Sequence, residues 1–506
     1  DSKDNDCDGA SDEGCVSPCG DNICGQDETA EECPWDCRVS VQDKWVKIQY
    51  PTYTTRMVVH YKSDGTKDEI RDPNQVRSFL ADKLDLSIEG SVRTIKGTIV
   101  DLSDDIVLLR YKQLNSLIPT DDPLLYQMVG DDEDAFVHAK GFPATKENRL
   151  ITRSYFGQYL MNPGSKWREY YSAYVGGTYL KDPRVDGIFM DNALGRLLIS
   201  GRYVRLVNES REVGDDGRTI TIDGGYQLHT PEKWYPTENN IRVYDNPGGK
   251  GTNYFTGGTY DKTIITLGTP VAPRQRVYLS YYVMDAPDDD VITNWPTNTY
   301  NSIKYVKESL GDKLLVYNGI IESWTEDDGF PEITDGGMSE QFIYAPWSSL
   351  TAKPTESNWK KIVDELKTIS KNRIYLAQSG VDFSDSDASK EQEMKRVAMF
   401  TFTSFLLGKD RYAYYHFGYR PYTYQNFTYF DYWETGIGKP LEDYRLRGKI
   451  GTANIYQREF ENSLVLVNPS DADAVMSLDR TYKTLEGATV SEVELESRSG
   501  IILMKT

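Results

Sequence analysis

From residue 70 onward, the apolar positions of the chain switch back and forth between a helical and a strand-like period. Asp72-Pro73 reads as an N-cap followed by proline at the first helical position, and Val76, Phe79, Leu80 and Leu84 recur at helical spacing behind it. LDLSIEG (84–90) and DIVLLRY (105–111) predict strands, the second continuous and β-branched enough to be buried on both faces. DAFVHAK (134–140) predicts a third. Trp167, Tyr170, Tyr171 and Val175 then stripe a helix that stops at Gly176-Gly177, and VDGIFMD (185–191) predicts the fourth strand. The rhythm resumes with Ile303, Val306 and Leu310 on a helix over 302–310, followed by KLLVYNG (313–319) and GGMSEQF (336–342). Helices over 357–369 and 391–407 lead into RIYLAQ (373–378) and YAYYHFG (412–418). Eight strands alternating with helices predict an α/β fold with a parallel sheet closed as a (β/α)8 TIM barrel.

Two stretches break this rhythm. Between 197 and 288 the runs TITIDGG (219–225) and VYLSYYV (277–283) are punctuated by Asp216-Gly217, Asp223-Gly224 and Gly257-Gly258, which are hairpin signals, so an all-β domain is expected there. After 440, SLVLVNPS (463–470), AVMSL (474–478) and GIILMKT (500–506) predict a C-terminal β-sandwich. The expected order is an acidic module at 1–38, lead-in strands at 39–69, the first half of the barrel at 70–196 and the inserted domain at 197–288. The second half follows at 289–439 and the sandwich at 440–506. No apolar run approaches the roughly 20 residues that cross a bilayer. The formal charge of −21 argues against a phosphate-backbone partner, which needs clustered Lys and Arg.

All six cysteines, Cys7, Cys15, Cys19, Cys24, Cys33 and Cys37, fall at the start of the chain, a spacing that predicts a disulfide-rich module made in an oxidising compartment. An extracellular or cell-surface protein whose leader has been removed is expected. Residues 1–38 hold 12 Asp and Glu against Lys3 and Arg38, a density that repels itself unless a cation binds. Asp4, Asp6 and Asp8 alternate before the turn residue Gly9, with Asp12 and Glu13 beyond, as in a loop that wraps oxygens around calcium. DNDCDGASDEGC resembles the Asp-rich repeats of thrombospondin type 3. CGDNICGQDETAEECPWDC is similar to a Cys-rich repeat of microbial surface proteins. That likeness implies one calcium at Asp4, Asp6, Asp8, Asp12 and Glu13, and a second at Asp21, Asp27, Glu28 and Asp36. A stapled acidic spacer without metal is the plainer alternative. Asn208-Glu-Ser and Asn426-Phe-Thr fit N-glycosylation acceptors.

In such a barrel the chemistry stands at the C-terminal ends of the strands. Asp191 closes VDGIFMD on the same face as Gly187 and Phe189, whereas Asp186 begins the strand on the other face and reads as a cap or ion-pair member. Glu340, ending DGGMSE, is the partner expected from another strand end, with Asp335 and Glu322 in reserve. Two carboxyls about 5 Å apart allow double displacement with retention, while about 6.5–9.5 Å leaves room for water and inversion. Asn318, His138 and His416 are candidate ligands for sugar hydroxyls, and Tyr111, Trp324 and Trp347 candidate stacking platforms.

The stretches DPRVDGIFMDNA, YLMNPGSKWREYY, KLLVYNG, ITDGGMSEQF and YQREFENSLVLVNPSDADAV resemble hypothetical glycosyl hydrolase family fifteen, itself similar to the α-galactosidase superfamily. The resemblance covers about residues 70–506. It implies that Asp191 stands where the superfamily keeps its nucleophile and Glu340 where it keeps its general acid/base, with a polysaccharide or glycan as substrate. The competing expectation is a non-catalytic surface or filament protein that assembles with its own copies, stiffened by calcium. Nucleotide binding and Ser or Cys hydrolysis have no motif: no glycine-rich loop follows a strand and the four histidines have no G-x-S-x-G partner.

Overall fold

The computed structural model describes residues 45–51, 55–89, 103, 105–152, 158–193, 195–197, 203–222, 241–247, 249–261, 263–320, 330–382, 388–420 and 426–506. The calcium and disulfide expectations at 1–38, together with Glu322 and Trp324, lie outside these residues.

Eight parallel strands form the central sheet: β1 (Gln49–Pro51), β2 (Leu86–Glu89), β3 (Val107–Gln113), β4 (Gly187–Asp191), β5 (Leu314–Asn318), β6 (Gly336–Ser339), β7 (Ile374–Asp382) and β8 (Ala413–Arg420). They neighbour one another in chain order. The ring closes where β1 meets β8, through a parallel bridge between Ile48 and Tyr415 and a Tyr415 N–H bond of 2.9 Å to the Lys47 carbonyl. Alternation along each strand then sorts side chains into two cores. Leu86, Ile88, Val107, Leu109, Phe189, Leu314, Val316, Met338, Ile374, Leu376 and Tyr414 form one buried cluster, which fills the barrel interior. The alternate positions join the larger cluster under the helices.

Helices α1 (Pro73–Lys83), α2 (Trp167–Thr178), α3 (Asp289–Leu310), α4 (Glu356–Ile369) and α5 (Ala388–Gly408) surround the sheet. The Asp72 carboxylate caps α1 by accepting from the backbone N–H groups of Asn74 and Gln75, with Pro73 at the first position, as the sequence implies. Helix α3 begins well before the expected residue 302 and carries Pro296 in its interior. Trp295, Thr299, Ser302, Ile303, Val306 and Leu310 nevertheless give it one continuous buried face.

Residues 134–140 are not a barrel strand. They carry a short 3-10 turn (Glu133–Ala135) and then bridge Phe136 to Met161 and His138 to Arg149. The missing strand is β1, only three residues long, which lay in the expected lead-in. Its brevity hid it: three residues cannot show a period. The excursion after β3 also supplies strands to the inserted sheet. Ser116–Leu117, Tyr159–Leu160 and Ile151–Thr152 continue a six-stranded sheet with Tyr203–Glu212, Arg276–Asp285 and Arg242–Tyr244.

The C-terminal strands make a six-stranded antiparallel sheet. Strand Ala474–Lys483 pairs with Ser499–Lys505 only through Tyr482 and Lys483, and the register breaks between Ser477 and Tyr482. That bulge lets its other half leave the sheet, so that Ala474, Met476, Val493 and Leu495 share a core with Leu464, Leu466 and Leu503. The sandwich anticipated from sequence is therefore one folded sheet. Among the described residues, no helix is long and apolar enough to cross a membrane.

Candidate active site

The two ends of the barrel use aspartate differently. At the N-terminal end, Asp85, Asp186 and Asp335 stand just before β2, β4 and β6. Each accepts a backbone N–H from the neighbouring strand: Ile48 at 2.6 Å, Leu108 at 2.8 Å and Leu315 at 2.7 Å. Asp335 is also paired with Lys307 at 2.7 Å. These carboxylates tie strand to strand, which fits the cap expected of Asp186 and puts the reserve candidate Asp335 at the wrong end for chemistry.

Asp191 ends β4 at the other face, and the register brings it beside Gln113 on β3. Its side chain is half-buried and held on both oxygens. Oδ1 accepts from the Asn318 amide at 3.0 Å and from the Asn192 backbone N–H at 2.8 Å, while Oδ2 accepts from the Tyr111 hydroxyl. Asn192 adopts φ 53°, a left-handed turn that asparagine tolerates and that folds the chain back onto the carboxylate. Glu340 follows β6 directly and is half-buried as well. Its Oε2 accepts from the same Asn318 amide nitrogen at 3.2 Å. The two hydrogens of one NH2 group thus reach two carboxylates from two strand ends, β4 and β6, with β5 between them. Asn318 Oδ1 is buried without a hydrogen-bond partner among the described residues.

Beyond Glu340 the loop turns sharply. Tyr344 N–H bonds to the Phe342 carbonyl at 2.7 Å, closing a three-residue turn around Ile343 at φ 63°. A β-branched residue in that region is strained, and such strain concentrates at functional sites. Trp347, 42% exposed, stands on the same loop.

The other sequence candidates divide. Tyr111 is in the site through its hydroxyl, its ring roughly parallel to Phe189 at 6.2 Å. His138 is engaged elsewhere: its Nε2 is 2.9 Å from Glu133, which also holds Arg149. His416 is fully buried on β8, its ring 4.8 Å from Tyr50 and stacked with Phe427 at 6.2 Å. Neither ring nitrogen has a partner among the described residues, and burial pushes its pKa down to about 3. Asn426, read as a glycosylation acceptor, is buried on its strand, whereas Asn208 is exposed.

Sequence reasoning missed Gln113 and Ser116. Gln113 Nε2 donates to the Tyr111 hydroxyl at 3.1 Å, and Ser116 Oγ donates to Gln113 Oε1 at 2.5 Å. The available signal was period two: Gln113 shares the face of Tyr111, but the polar tail of the run reads as loop.

Comparison with known proteins bears on the half of the barrel that carries Asn318 and Glu340. Residues 283–464 match the model of Hypothetical glycosyl hydrolase family 15. The match to this glycosyl hydrolase family spans β5 to β8 and the first strands of the C-terminal sheet, and leaves β3 and β4 outside it. No curated protein matches the chain. Among solved structures, the chain is similar to the noncanonic maltogenic α-amylase AmyB from Thermotoga neapolitana, at 8% identity over 92% of this chain and 99% of that one, with a TM-score of 0.44. An Anoxybacillus α-amylase matches at 9% identity over 92% and 99% of the chains, with a TM-score of 0.45. Trehalulose synthase MutB from Pseudomonas mesoacidophila MX-45 matches at 10% identity over 92% and 99%, with a TM-score of 0.44.

Proposed function

We propose that the chain is a glycoside hydrolase that works by double displacement with retention, with Asp191 as nucleophile and Glu340 as general acid/base. The observation that carries this reading is the shared Asn318 amide. Its bonds of 3.0 and 3.2 Å mean that the two carboxylate oxygens lie no further apart than the sum of those lengths. With the two N–H directions of a planar amide about 120° apart, the gap falls near the ~5–5.5 Å of retaining enzymes and short of the ~6.5–9.5 Å that leaves room for an attacking water. The family match over residues 283–464 supports a barrel of the glycan-acting kind.

In this reading Glu340 protonates the glycosidic oxygen as Asp191 attacks the anomeric carbon, and the leaving sugar departs with that proton. Water, deprotonated by Glu340, then releases the glycosyl group from Asp191. Asn318 keeps the two carboxylates at a fixed spacing, and its buried Oδ1 is left to accept a substrate hydroxyl. The test uses a panel of α- and β-linked 4-nitrophenyl glycosides and polysaccharides. Asp191→Asn should abolish turnover. Glu340→Gln should lower it by about 10²–10⁴-fold on unactivated substrates, where acid assistance matters most. Azide added to Asp191→Gly should yield a glycosyl azide of inverted configuration. Unchanged turnover in Asp191→Asn overturns Asp191 as the nucleophile, and a wild type that turns over nothing in the panel favours a non-catalytic surface protein.

A further inference from the structure

The hydroxyl of Tyr111 is set between a donor and an acceptor. A tyrosine hydroxyl has one proton, and here its oxygen already accepts the Gln113 amide N–H at 3.1 Å, so the proton is left for Asp191 Oδ2. The direction is set by the carboxylate, which only accepts: with the Tyr111 proton on Asp191, the Gln113 NH2 faces the tyrosine oxygen and its Oε1 accepts from Ser116 Oγ at 2.5 Å. All three donors run in one direction, Ser116 to Gln113 to Tyr111 to Asp191, and a hydroxyl that accepts a bond donates a stronger one. The backbone holds the same register: Gln113 pairs with Asp191 across β3 and β4, Leu114 N–H bonds to the Asp191 carbonyl at 2.8 Å, and the Trp167 indole N–H bonds to the Leu114 carbonyl at 2.7 Å. Ser116 begins the strand that pairs with Tyr159–Leu160, and so belongs to the inserted sheet.

We propose that Tyr111 is a positioning residue for Asp191, aimed at Oδ2 by Gln113 and Ser116, and that the inserted sheet acts on the active site through this relay. The role given to Asp191 rests on the hydrolase reading; the relay itself is tested without substrate. Charge on the carboxylate favours these donors, so losing one should leave Asp191 protonated, and reactive toward a carbodiimide, at a higher pH. Labelling of the full chain with a water-soluble carbodiimide and glycine ethyl ester, mapped by mass spectrometry between pH 4 and 7, gives that profile for the wild type and variants. In Tyr111→Phe the labelling of Asp191 near pH 5 should rise by about threefold or more. Gln113→Leu should shift the profile the same way, Ser116→Ala less, and Tyr111→Phe/Gln113→Leu no further than Tyr111→Phe alone. A merely structural Gln113 would instead add its own effect in the double variant. Should Tyr111→Phe fold poorly, Gln113→Leu decides, since it leaves the tyrosine ring packed on Phe189. Coinciding profiles, or multiplying effects, overturn the relay. The hydrolase reading fails separately, by a wild type without turnover, and its choice of nucleophile by turnover surviving in Asp191→Asn.

Discussion

At the scale of single residues, the same side chain means different things at the two ends of one strand. Asp186 and Asp191 bracket β4: the first accepts the Leu108 amide at the base of the barrel, while the second collects three side-chain and backbone donors at its mouth. The polarity of a strand within a barrel makes this distinction, and period two alone separates the two faces. His416 shows the opposite case, a residue read as a ligand that the fold seals among aromatic rings. Its pKa, lowered to about 3 by burial, is far below the unfolded value of about 6.5. The unfolded chain therefore binds the proton first, and the contribution of His416 to stability is present above pH 6.5 and is lost as pH falls toward 3. The loss runs at up to about 1.4 kcal/mol per pH unit in that interval. His416→Phe, which suits the Tyr50 and Phe427 rings, should flatten the dependence of urea unfolding on pH between 6 and 4. A slope equal to that of the wild type would show that the imidazole is solvated in the folded state.

At the scale of elements, the strongly patterned segments were legible and the short or interrupted ones were not. The runs that became β3, β4, β5, β7 and β8 are apolar enough to be buried on both faces, and strand type follows from that composition. Three-residue β1 has no readable period, and Pro296 disguises the first turns of α3 by removing one backbone donor while the buried face continues through Trp295 and Thr299. Glycine marks the tightest inter-strand packing. Gly336, at the start of β6, has φ +149°, and a Cβ there would stand 2.0 Å from the Ile374 carbonyl oxygen. That atom is backbone in the adjoining strand and has nowhere to move. Gly336→Ala should therefore destabilise by about 3 kcal/mol or more, read as a fall in the denaturant midpoint, and should lower the yield of soluble protein. A midpoint within error of the wild type would mean that β6 and β7 are not packed as described.

At the scale of the whole molecule, an acidic Cys-rich entry, a barrel with an inserted sheet and a folded terminal sheet share one chain. The entry lies outside the described residues, and calcium binding there remains our proposal from its carboxylate spacing. Chelation with EGTA should lower the melting temperature of the full chain or release residues 1–38 to proteolysis, and added calcium should reverse either effect. No change in melting, proteolysis or self-association would identify the carboxylates as a solvated spacer. The inserted sheet is the larger departure from sequence reading. Its strands come from both 116–160 and 203–285, so a segment that reads as part of the barrel is also its first wall.

The sequence by itself determined the alternation of helices and buried strands, the four strands and three helices in the second half of the chain, and which acids close a strand rather than open one. Those properties are local: burial pattern, capping residues and the parity of positions along a strand are written within a dozen residues. Only the tertiary structure decided that Asp191 and Glu340 share one amide of Asn318, that Gln113 and Ser116 direct Tyr111, and that His138 and His416 stand apart from them. The shared amide and the Tyr111 bond to Asp191 depend on the register between strands tens to more than a hundred residues apart, whereas Tyr111, Gln113 and Ser116 are neighbours in sequence that this register aims at the carboxylate. A hydrogen bond is sensitive to a few tenths of an ångström, and no local pattern fixes two such strands to that precision.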